Sequence, residues 1–170
     1  MPDRKPSRRQ PAARWLTPAQ QRVWLAYMRV TLRMDYEMNR QLQADDGLSL
    51  SDYHVLVALG GAPEMSMRIS DLAAQIGWER SRTSHHLRRM SERGLTERRT
   101  SPDDGRAIEA SLTVLGREAL STAAPAHVEL VRNLFFDSLP DNLLAPLTAA
   151  LEHINVNLNL NSSLPPMKPR

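Results

Sequence analysis

Arg80, Ser81, Arg82, Ser84, His85, Arg88 and Arg89 crowd one short stretch, with Thr83, Leu87 and Met90 threaded through them at helical spacing. Wound as a helix, the stretch turns the apolar set inward and leaves the cationic and hydroxyl side chains outside. Glu79 is the one acid beside them. A guanidinium donates two hydrogen bonds to guanine O6 and N7, and a serine hydroxyl reaches a base edge or a phosphate. These residue types suit the major groove of double-stranded DNA. A merely solvated arginine-rich face would leave the short serines at the helix start without a role.

The other candidates for chemistry are the histidines His54, His85, His86, His127 and His153. His85 and His86 are neighbours, point about 100° apart on a helix and cannot chelate one ion together. His86 reads as a hydrogen-bonded core residue rather than a DNA contact. No His-Glu-x-x-His spacing, glycine-rich phosphate loop or nucleophile elbow occurs. The expectation is therefore no enzyme, no cofactor and no metal site. A metal-sensing regulator survives as an alternative through an approach of His54 to His127.

The elements around the arginine stretch decide how it is presented. Asp71 to Ile76 forms a short helix with Ser70 as its cap, and Gly77 stops it before the run from about Arg80 to Glu92. Two helices joined through Ile76-Gly77-Trp78 make a helix-turn-helix. Leu95 to Thr100 and Ile108 to Thr113 then read as a hairpin, a wing, around the turn formers Ser101 to Arg106. Asp104 and Gly105 serve its turn, and Arg106 is placed to enter a narrow minor groove. Upstream, a helix is expected from Ser51 to Leu59 with Ser51 as cap. A long first helix starts at Thr17-Pro18-Ala19-Gln20 through a capping box and ends at Asp45-Asp46-Gly47. Its stripe of Val23, Tyr27, Val30, Met34 and Met38 is too long for one small core to cover. Downstream, a helix from about Val114 to Phe136 is interrupted at Pro125. A last helix opens at Pro140, with Pro146 delaying its regular start.

The fold class is mainly α with a small β wing: a winged helix-turn-helix lobe, about 51–113, with helical regions at about 17–46 and 114–160. Residues 1–16 read as a disordered basic tail, since Arg4, Lys5, Arg8 and Arg9 stand among prolines without apolar residues to offset ordering. Residues 161–170 read as frayed. The 170 residues, with net charge +3, contain no cysteine, which closes disulfide, Cys-zinc and thiol-switch chemistry. The chain has no run of ~18 apolar residues for a membrane helix and no secretory leader, so a cytoplasmic protein is expected.

Asp104-Gly105-Arg106, five residues, then Leu112-Thr113 resembles the wing signature of the MarR family of multiple-antibiotic-resistance regulators. Leu72-Ala73-Ala74-Gln75-Ile76-Gly77, Arg93-Gly94-Leu95 and Gly116 fit the same pattern in the same order. The resemblance runs from about Thr17 to Leu158. It implies a homodimer built by the first and last two helices, both lobes on a palindromic operator, and a transcriptional regulator, acting as a ligand-responsive repressor. By position it puts Arg80, Ser81, Arg82, Ser84 and His85 at the major groove, with Arg88 on the same face, and Arg106 at the minor groove. It also implies a cleft for a small aromatic or phenolic effector, for which Trp24, Tyr27, Tyr53 and His54 are the candidates. His86 departs from the aliphatic residue usual there. A winged helix that binds only protein partners is the remaining alternative.

Overall fold

The computed structural model describes residues 14–100 and 107–166. Six α-helices follow in order, α1 Pro18–Asp46, α2 Leu50–Gly60, α3 Ile69–Gln75, α4 Arg80–Glu92, α5 Val114–Val131 and α6 Asp141–Asn161. Three strands, β1 Ser66–Arg68, β2 Thr96–Thr100 and β3 Ile108–Leu112, form an antiparallel sheet in the order β1-β3-β2. The chain divides into two compact units, Met1–Met34 and Asp35–Arg170.

In the first unit the expected capping box is present: the Gln20 N–H donates to Thr17 Oγ1 at 3.3 Å, and the Thr17 N–H to Gln20 Oε1 at 2.9 Å. The apolar stripe beyond it has the right period but no cover, since Val23, Trp24, Leu25, Tyr27 and Val30 all stand exposed.

In the second unit the core gathers Leu42, Val55, Leu56, Leu59, Leu72, Leu87 and Met90, all fully buried. The helix α2 begins one residue before the expected Ser51, and its cap is Ser49. Asp52, three residues on, completes a capping box: the Asp52 N–H donates to Ser49 Oγ at 3.0 Å and the Ser49 N–H to Asp52 Oδ2 at 2.9 Å. Ser51 therefore lies inside the first turn. Ser70 is likewise not a cap, because α3 starts at Ile69 directly behind β1, with Arg68 as its N-cap. Pairing of Met67 with Ala110 and Arg68 with Glu109 pins that start from outside the helix.

Gly77, at φ +70°, makes the tight turn between α3 and α4 in a conformation a side chain would strain. The wing base is tied to α5 by Thr113, whose Oγ1 accepts from the Gly116 N–H at 3.0 Å and donates to the Gly94 carbonyl at 2.6 Å. A Cβ on Gly116 would lie 2.0 Å from the Leu95 carbonyl oxygen, so the approach of α5 to the end of the helix-turn-helix needs glycine there. The helix α5 runs through Pro125 unbroken, and the departure from α-geometry comes instead in a π-turn at Arg132–Phe136. Pro146 does not delay α6, which begins at Asp141 and contains it. No residue of α6 is buried.

Candidate nucleic-acid interface

The helix α4 has the bounds the sequence predicts, and Thr83, His86, Leu87 and Met90 are its buried face. At about 100° per residue, Ser81, His85 and Arg88 lie opposite that face, with Ser84 beside them. Arg80, Ser81, Arg82, His85 and Arg88 are exposed and Ser84 is half-buried. Among the described residues Arg82 differs from the rest in having a partner, the Trp78 ring, 4.2 Å from its guanidinium carbon. Asp104, Gly105 and Arg106 lie outside the described residues.

His86 is the core histidine expected of it, 8% exposed, and its partners explain the departure from an aliphatic residue. Its Nδ1 lies 3.0 Å from Arg89 Nη2. A guanidinium only donates, so Nδ1 accepts and the ring hydrogen sits on Nε2. That nitrogen faces Asp52 Oδ1 at 2.9 Å, an ion-pair distance, though bent away from a straight hydrogen bond. Arg93 closes the other side, donating to Asp52 Oδ2 at 2.8 Å and to the Gly47 carbonyl at 2.9 Å. Burial opposes ionisation of Asp52, but the close approach of His86, the bonds from the Ser49 N–H and Arg93, and the adjacent Ser49 hydroxyl outweigh it and hold its carboxyl well below the usual range. One buried carboxylate on α2 thus holds the helix that presents the outward row at its middle, through His86, and at its C-terminal end, through Arg93. With Ser51 expected as the cap, the Ser49–Asp52 box was missed, and with it the hold of Asp52 on α4.

The effector candidates fall into separate settings. In the first unit the exposed Trp24 and Tyr27 rings pack 5.6 Å apart. In the second, buried Tyr53 lies 4.3 Å from the His127 ring. His127 is 9% exposed and its Nδ1 has no hydrogen-bond partner among the described residues. Burial, then repulsion from His54, lowers its pKa; burial also lowers that of His54, against an opposing pull from Asp35. A metal reading requires these two histidines to converge on one ion with further ligands. Among the described residues, however, no group of three or more His, Cys, Asp or Glu side chains could hold an ion.

The pair carries a pH signature. A histidine whose pKa is lowered on folding binds fewer protons folded than unfolded once pH drops below its unfolded value, about 6.5. Stability is therefore expected to be level above that pH and to fall below it, by at most about 1.4 kcal/mol per pH unit for His127. His54 is open to solvent and contributes less. Urea melts from pH 7.5 to 5 check this: His127→Phe, which keeps a ring against Tyr53, flattens the profile.

With the geometry in place, the relatives are informative. The MarR family model matches residues 46–107. The crystal structure of AbsC, a MarR family transcriptional regulator from Streptomyces coelicolor, is 35% identical over 88% of this chain and all of that one, with a TM-score of 0.82. The chain belongs to the MarR family of transcriptional regulators. Sco3205, another MarR regulator from that organism, solved in complex with DNA, is 34% identical over 89% of this chain and 98% of its own, with a TM-score of 0.83. CouR from Rhodococcus jostii RHA1, bound to p-coumaroyl-CoA, is 26% identical over 78% of this MarR chain and 90% of its own, with a TM-score of 0.68. An uncharacterized HTH-type regulator, YdgJ of Bacillus subtilis, is 30% identical over 83 residues, so the match spans about half the length of that curated relative. The helix-turn-helix and small antiparallel sheet are the winged-helix fold of this family. No helix of the described residues is long and apolar enough to cross a membrane.

Proposed function

We propose that this MarR regulator is a homodimeric repressor that binds a palindromic DNA operator through α4 and releases it on binding an aromatic effector. The observation that carries the reading is the outward row of α4. Arg80, Ser81, Ser84, His85 and Arg88 present donors that no residue described in the structure uses, on a helix whose opposite face is core. Unspent donors of that kind, held on a packed helix, match the acceptor edges of the major groove. The DNA complex of Sco3205 supports the same use of this fold. The unburied α6 and the exposed stripe of α1 support a second copy of the chain as the missing cover.

Selection from a random duplex library tests the reading. The expected product is an inverted repeat with half-sites about one helical turn apart. Arg88→Ala is expected to cost about 1–3 kcal/mol and to degrade one position in each half-site. A library that returns no enriched motif rejects operator binding and favours the protein-partner alternative.

The effector part rests on the aromatic candidates Trp24, Tyr27, Tyr53 and His54 and on the ligand seen with CouR. Titrating the protein–operator complex with p-coumaroyl-CoA and phenolic acids is expected to lower DNA affinity roughly 5- to 150-fold at saturation, the range of ordinary coupling. Neither release nor a shift in melting temperature across such a panel would mark a constitutive regulator.

A further inference from the structure

Beside the outward row lies a polar feature that neither base reading nor core packing uses. A pocket of about 400 Å³ opens between the first turn of α2 and one flank of α4, lined by Ser49, Ser51, Trp78, Arg82, His86 and Arg89. Arg82 and His86, four residues apart on α4, share one side, and Trp78, just before the helix, packs against both. Trp78 is 9% exposed; it meets the His86 ring edge-on at 5.2 Å and carries the Arg82 guanidinium over its face. Stacking on a face leaves the in-plane N–H groups of Arg82 free to donate.

Position on the helix separates this cluster from the outward row. Arg82 and Arg89 lie about 100° round from Ser81 and Arg88, on the flank toward α2. The stacked guanidinium of Arg82 therefore belongs to the pocket wall. Two guanidinium groups and two serine hydroxyls converging on one space suit an anion whose oxygens only accept. The acid below them, Asp52, is already matched by His86, Arg93 and Ser49, which leaves the pocket cationic. His85 lines the pocket and also belongs to the outward row, so the pocket borders the face assigned to the major groove.

We propose that this pocket seats a backbone phosphate of duplex DNA, clamped by Arg82 and Arg89 with Ser51 as a further donor, and that Trp78 is the positioning residue that holds Arg82 toward it. The inference rests on the DNA-binding reading and divides its labour. Ser81, Ser84, His85 and Arg88 read sequence, while Arg82 sets register and affinity without reading a base.

The test uses the full-length protein, a duplex carrying the selected operator and a mixed-sequence duplex of equal length, between about 50 and 200 mM salt. Arg82→Ala is expected to weaken both duplexes by the same factor, roughly tenfold per half-site, and to leave their ratio unchanged. The slope of log K against log salt should become shallower by about 0.9 for each clamp removed. Replacing the contacted phosphate by a methylphosphonate should cost the wild type as much, and cost Arg82→Ala nothing more. Trp78→Leu should reproduce part of the loss with base preference intact, and Trp78→Phe should restore it. Because Trp78 packs against the core, Arg82→Lys gives a second measure: it keeps the charge and the salt slope but loses affinity with the planar stack. A changed base preference in Arg82→Ala overturns the proposal by making Arg82 a base reader. An unchanged affinity and slope overturn it by emptying the pocket of DNA. Wild-type protein that binds neither duplex instead defeats the DNA-binding reading itself.

Discussion

Leu151→Glu combined with Ile154→Glu is expected to separate the proposed dimer of this MarR regulator into single chains and lower operator affinity about 10²- to 10⁴-fold. Neither side chain packs in the core of its own chain; they are 46% and 55% exposed on a helix without a buried residue. Leu143, Leu144 and Leu158 extend the same exposed apolar series, far more than a lone soluble chain tolerates. If a second copy covers it, two carboxylates there lose their water without gaining partners, and the interface opens. The size of the DNA effect follows from valence: with one lobe per molecule, the second half-site no longer benefits from the effective concentration set by the first. Sedimentation and fluorescence anisotropy on the operator read both quantities. Unchanged mass, or half the mass with full operator affinity, would refute the dimeric account.

Asp52→Ala carries the second large effect, on stability. Removing the carboxylate leaves the His86 N–H beneath α4 without its acceptor and Arg93 at the helix end without its counter-charge, and breaks the capping box of α2. Breaking one side of a buried ion-pair network costs about 3 kcal/mol, with Arg93 recovering some solvation because it is half-exposed. The pH sign is that of a depressed acid. Asp52 contributes fully above the unfolded carboxylate value of 3.8 and loses its contribution as pH falls below it. Wild type and variant should therefore differ by the full amount in urea melts at pH 7 and converge in strong acid. Equal midpoints at pH 7 would show that the network does not hold α4.

The helix-turn-helix was legible because the ends of both its helices have a local cause. Gly77 and Gly94 mark the ends of α3 and α4, and the spacing of Thr83, Leu87 and Met90 sets the inward face whatever lies beneath it. Errors arose where the cause is distant. The start of α3 is set by the pairing of β1 with β3, and a three-residue strand is too short to show alternation. Ser49 and Ser51 both precede an apolar run, and only the reciprocal bond with Asp52 separates them. In α1 the period is right, but a stripe in the sequence does not say which molecule covers it. The same limit governs the site. The four-residue spacing of Trp78, Arg82 and His86 is visible in the chain, yet whether Arg82 projects outward or folds onto the indole is a matter of side-chain torsion. His86 looked anomalous because its partner, Asp52, lies on another helix.

Whether α4 reads duplex DNA from a dimer is decided by hydroxyl-radical footprinting on the DNA upstream of the protein's own coding sequence. Two protected patches are expected on one face of the duplex, centred about one helical turn apart, that vanish together in Arg88→Ala at the protein concentration that saturates wild type. Protection that is absent, spread evenly along the duplex, or unchanged in Arg88→Ala would contradict that reading.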